Sequence, residues 1–171
     1  MDPTVMKKRF YTTILLAFIC QLFAYALYGD DWGMANNRVQ MSIHTENGQS
    51  AEFETNQPVL ISVCFKNIST NETFRLYRAN AIEFDPGYSW QVISPSGKDI
   101  SPNMEKIHPS ESGGFIPLLP NGTNELKFNM SHLCDFTEIG TYKITGKKGI
   151  YSPAMKKAVF VVSKPLFVVV K

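Results

Sequence analysis

Glu138-Ile-Gly-Thr-Tyr142 stands directly before an alternating segment, Tyr142-Lys-Ile-Thr-Gly146, and constrains the fold more than any other stretch. Gly140 supplies the backbone freedom for a sharp turn. Tyr142, two residues on, predicts a ring packed under a corner, with its hydroxyl returned to a backbone group a few residues upstream. A tyrosine corner of this kind opens a strand in a two-layer antiparallel β structure. It is architecture rather than reactive chemistry.

The rest of the chain reads the same way. Val39, Met41 and Ile43 alternate with Gln40, Ser42 and His44, the pattern of a half-buried strand. Asn47-Gly48 is a hairpin signal ahead of Ala51-Glu-Phe-Glu54. The clearest strand puts Val59, Ile61, Val63 and Phe65 on one face and Leu60, Ser62, Cys64 and Lys66 on the other. Further strands are expected over residues 73–78, 88–93, 115–116, 124–128, 141–146, 158–162 and 166–170. Ser94-Pro-Ser-Gly97 and Leu119-Pro-Asn-Gly122 make turns, and residues 131–136 a short helical turn. Short strands at intervals of roughly ten residues, separated by Gly, Pro and Asn, predict an antiparallel sandwich of about seven to nine strands. Pro165, before the last strand, suits an edge position where an amide donor is dispensable.

The N-terminus predicts export. Lys7-Lys8-Arg9 precede an apolar run from Phe10 to Tyr28, and Ala24-Tyr25-Ala26 resembles a cleavage site. Residues 1–26 are therefore expected to be a signal peptide, with a hydrophobic signal helix, or else an uncleaved anchor over residues 10–28. Cys20 does not fit a lipoprotein site, because Ile19 before it is too large. Residues 27–37 are expected to be a flexible lead-in and residues 38–171 the sandwich. The location implied is periplasmic or extracellular.

Of the 17 basic and 15 acidic residues, removal of the signal leaves equal numbers. From Thr141 onward there are seven lysines and no acid. That stretch suggests an edge strand whose lysines block sheet-to-sheet pairing, in preference to a polyanion site. No nucleic-acid partner is expected.

Reactive groups are sparse. His44, His108 and His132 stand apart in sequence from any Cys, Asp or Glu at metal-ligand spacing, so no metal, cofactor or catalytic residue is expected. Ser110-Glu-Ser-Gly-Gly114 lacks the frame of a nucleophile elbow. Cys64 and Cys134, the two cysteines beyond the signal, would form one disulfide in an oxidising compartment or stay as buried thiols. Asn67, Asn71, Asn121 and Asn129 each head an N-glycosylation sequon.

Val59-Leu-Ile-Ser-Val-Cys-Phe-Lys-Asn67, Leu119-Pro-Asn-Gly122, Leu133 to Tyr142 and Val162-Ser-Lys-Pro-Leu166 together resemble immunoglobulin-like domains of secreted bacterial proteins. The similarity spans Arg38 to Lys171 and lies in turn and core positions. Glu138 and Ile139 replace an Asp-type residue and a proline common at that corner. The resemblance implies an immunoglobulin-like or fibronectin-like sandwich, of the type found in proteinase-inhibitor modules and accessory domains of secreted proteases. It transfers fold far more than activity. The expectation is a non-enzymatic exported module that binds a protein or supports envelope assembly, the alternative being a proteinase inhibitor. The partner would be an envelope protein or a protease, and any membrane contact would run through the N-terminal segment. Contact is expected at loops: Ser101 to Gly114 first, with Pro109, Ser110, Glu111 and Ser112 in it, then the Asp85 to Tyr88 turn.

Overall fold

A computed structural model describes residues 31–45, 51–79, 87–103 and 113–171. The predicted signal segment, residues 1–26, lies outside the described residues. Trp32 to Lys171 form one compact unit.

The described residues carry ten strands: β1 (Val39–Thr45), β2 (Glu52–Phe53), β3 (Leu60–Asn67), β4 (Phe74–Ala79), β5 (Tyr88–Ile93), β6 (Gly113–Leu118), β7 (Thr123–Asn129), β8 (Gly140–Ser152), β9 (Lys157–Val162) and β10 (Leu166–Val170). A 3₁₀ turn, Met130–His132, sits where a short helical turn was expected. The strands form two sheets. One is antiparallel β1-β3-β7; the other runs β2-β10-β8-β4-β6, with β5 and β9 also paired to β8. The all-β sandwich is therefore as the sequence predicts, with slightly more strands.

Period-two alternation builds the core. Val39, Met41, Ile43, Ile61, Val63, Phe65, Leu126 and Phe128 bury the inner face of the first sheet. Tyr88, Trp90, Val92, Tyr142, Ile144, Ile150, Val161 and Val168 do so for the second. The sheets meet at an aromatic knot: Tyr88 and Trp90 stack with centroids 5.7 Å apart, and Phe128 stands edge-on to both, at 4.8 and 5.3 Å. Each such aromatic pair adds about 1 kcal/mol beyond simple burial.

Strand β8 is twice as long as expected. Gly146 reads as a strand end, yet it is a packing residue: a Cβ there would lie 2.7 Å from the Met41 methyl and 2.8 Å from the Trp90 ring. The strand therefore continues to Ser152, hairpinning onto β9 and then, past a break at residues 163–165, pairing with β10. The edge-strand account of the lysines holds for Lys157 on β9, which among the described strands pairs with β8 alone, but fails for those on β8. Lys143, Lys147 and Lys148 belong to a central strand, and Lys148 is fully buried with Nζ 4.0 Å from the Tyr88 ring centroid.

The lead-in also differs. From Gly33 onward it is fastened to the sandwich: Gly33 N donates to Met41 O at 2.8 Å, and Asn36 Nδ2 to Phe160 O at 2.8 Å. Lys66 Nζ lies 5.7 Å from the Trp32 ring centroid.

Candidate functional site

The corner is built as the sequence implies. Glu138 N donates to Tyr142 Oη at 2.9 Å, the Tyr142 ring is buried, and Phe136 packs against it at 4.9 Å. Gly140 has φ +133°, and a Cβ there would meet Pro95 Cβ at 2.8 Å. Burial is the main cause that raises the Tyr142 hydroxyl above its ordinary pKa; the Glu138 amide opposes it and the Glu138 and Asp135 carboxylates add to it. This is a structural site.

The contact residues expected at the loops fare differently. Asp85, Pro109, Ser110, Glu111 and Ser112 lie outside the described residues. Tyr88 is no loop residue: it heads β5 with its ring in the aromatic knot and 2% of its surface exposed, so it offers nothing to a partner.

Cys64 and Cys134 are separate thiols rather than a disulfide. The reason is geometric. Cys64 pairs with Ser42 and Glu125 on the outward face of β3, whereas Cys134 follows the 3₁₀ turn and packs in the core. A disulfide needs Cα atoms within about 7 Å and converging Cβ vectors, and one side chain outside the first sheet and one in the core do not converge. Burial pushes the Cys64 thiol up to about 11, helped by the Glu125 carboxylate and opposed by a hydrogen bond with Ser42. Burial and then Asp99 push Cys134 up to about 12.

The outward face of the first sheet holds a cluster that sequence spacing did not show. His44 on β1 lies opposite Ser62 on β3; Cys64, two residues along, lies opposite Ser42 on one side and Glu125 of β7 on the other. One ligand atom each from His44, Cys64 and Glu125 fall within 4.8 Å of one another. Ser62 Oγ donates to Glu125 Oε1 at 2.6 Å and fixes the carboxylate. His44 and Cys64 are half-buried and Glu125 is exposed. The outward alternation of each residue was legible, but β1 and β3 are not consecutive strands, so no turn length gives their register. As a nucleophile the cluster is poor, since a carboxylate beside a thiol disfavours thiolate. Its nitrogen, sulfur and oxygen donors instead make a mixed ligand set.

Asn67 corrects one sequon. It is fully buried, donating to Glu72 O at 2.7 Å, Leu118 O at 3.1 Å and Leu119 O at 3.0 Å, and accepting from Ser69 N at 2.9 Å. A folded chain cannot present it to a glycosylating enzyme. Asn71 and Asn121 are exposed.

The outward face of the second sheet is apolar and cationic. Phe160, Val162 and Phe167 are 53%, 44% and 55% exposed, and Lys147 Nζ lies 4.8 Å from the Phe160 ring centroid. Beside them Met34, 90% exposed, edges a cleft of about 530 Å³ that also takes in Pro165.

No family model matches the chain, and no curated protein matches it. Among solved structures it is similar to a structural-genomics target at 13% identity, covering 78% of this chain and 87% of that one, TM-score 0.47. It is also similar to the CARDB domain of a Pyrococcus furiosus protein at 14% identity, covering 78% and 87%, TM-score 0.38. A third is the C-terminal domain of Wzt, 10% identical, covering 82% and 76%, TM-score 0.43. Likenesses this faint carry no argument about activity; the immunoglobulin-like layout rests on the chain's own pairing and corner.

Proposed function

We propose that this chain is a non-enzymatic, exported immunoglobulin-like module that binds another protein of the cell envelope or the extracellular space. The observation that carries the reading is the apolar surface of Phe160, Val162, Phe167 and Met34, set among Lys143 and Lys147. Apolar side chains projecting together from a sheet face mark a contact surface more often than a solvated one. Phe160 and Val162 on β9 and Phe167 on β10 stand on strands paired to β8, so ordered backbone presents the surface. The neighbouring lysines suit a partner with apolar anchors and acidic flanks. Export is supported by the basic, apolar N-terminus and its Ala24-Tyr25-Ala26 segment.

The test places a photo-cross-linking residue at position 160 of the full chain in its own cell, and another at position 110. A discrete adduct with a non-protease envelope or secreted protein from position 160, lost when Lys143 and Lys147 are both changed to Glu, supports the reading. Adducts with a protease from position 110 alone would replace it with the inhibitor alternative.

A further inference from the structure

We propose that His44, Cys64 and Glu125 form a binding site for a divalent transition ion of the zinc type on the outward face of the β1-β3-β7 sheet. The three donors come from three adjacent strands and converge within 4.8 Å. Bonds of ~2.0–2.3 Å in a tetrahedral zinc site separate neighbouring ligand atoms by roughly 3.5 Å. All three residues stand on paired backbone, so the remaining distance is one for side-chain rotation to close.

The donor chemistry selects the ion. A thiolate sulfur and an imidazole nitrogen disfavour magnesium and calcium, which take oxygen ligands. One carboxylate completes a three-residue set and leaves the fourth position to water or to a group from another molecule. On binding, the Cys64 S–H bond breaks, sulfur keeps the electron pair for the metal, and the proton leaves to solvent. His44 binds as neutral imidazole and Glu125 as carboxylate.

The surroundings are those of an oriented site. Ser62 holds Glu125 at 2.6 Å, and Ser42 hydrogen-bonds the Cys64 sulfur. Such outer contacts aim ligands and tune affinity by about 10- to 100-fold. Cys64 lies half-buried, reachable by an ion yet unable to meet Cys134.

The experiment uses the full chain in detergent with a reductant that does not bind metal. Zinc is titrated against a chromogenic chelator, and cobalt(II) alone serves as the optical probe. One equivalent of zinc should bind. Cobalt should give an intense near-ultraviolet thiolate charge-transfer band. Cys64→Ser should abolish that band and weaken zinc at least about tenfold, with similar weakening in His44→Gln and Glu125→Gln. His132→Gln, on the distant 3₁₀ turn, should bind as the parent does. Zinc should raise the melting temperature of the parent and not of Cys64→Ser, which separates ligation from misfolding. Zinc affinity unchanged by Cys64→Ser, or cobalt bound without the thiolate band, would overturn the site.

Discussion

At the start of β8 the sandwich is held by Tyr142, whose hydroxyl takes the Glu138 amide, with Gly140 turning the chain against Pro95. Near the other end of the same strand the hold is Asn67. Its amide spans the segment 69–72 and the turn at 118–119, and Ser152 Oγ reaches Glu72 Oε1 at 2.6 Å. The corner is one hydrogen bond around a large buried ring, so burial supplies most of its stability. The clamp is four hydrogen bonds around a small amide, so satisfied polarity supplies nearly all of it. A ring tolerates loss of its hydroxyl, whereas a buried amide that vanishes leaves several carbonyls without a donor.

Asn67→Ala is the sharpest way to test that difference. Glu72, Leu118 and Leu119 carbonyls and the Ser69 amide each lose a partner, two of the four contacts being part-buried and two fully buried. The expected loss is about 3 kcal/mol in urea unfolding, allowing water to recover some of the 1–3 kcal/mol per stranded group. A loss as small as that of the corner variant below would show that the clamp is ornamental and the two ends alike.

Tyr142→Phe keeps the ring against Phe136 and removes only the bond to Glu138 N. The Glu138 amide is part-buried and regains water, so the expected cost is about 1 kcal/mol. The same urea titration measures it. A cost above that of Asn67→Ala would reverse the ranking.

These ends were unequally legible. Gly140 and Tyr142 act within a five-residue window, so chemistry and spacing disclose the corner at once. Asn67 works through residues 118 and 119, about fifty positions away, and its local pattern reads as a sequon. The same limit hid the His44, Cys64 and Glu125 convergence. Alternation says which way each side chain points, but only strand order says which strands are neighbours, and β2 intervenes in sequence while pairing with β10 in the opposite sheet. Gly146 misled for a third reason: glycine signals a break in isolation, and only the Met41 and Trp90 side chains above it show that it is there to make room. Tyr88 follows the Pro86-Gly87 turn and so reads both as the first residue of a strand and as a contact residue; burial of its ring leaves only the strand role.

The smallest expected effect separates the ends by pH. The clamp consists of an amide, backbone groups and a hydroxyl, none of which titrates in the accessible range. The corner end carries Tyr142 and Cys134, both held above their ordinary values, Cys134 at about 12 against 9.0. The sign follows from proton counts: above pH 9 the unfolded chain gives up the Cys134 proton while the folded chain keeps it. Stability therefore falls as pH rises. Between pH 8 and 10 that thiol should contribute a loss on the order of 1 kcal/mol. Replacing it by the similarly sized Cys134→Val should flatten the fall in urea midpoint over that interval. Cys64, pushed up to about 11, adds a loss of the same sign to both proteins and cancels in the comparison. If the two proteins lose stability in parallel from pH 8 to 10, the alkaline sensitivity does not reside in the Cys134 thiol at the corner end.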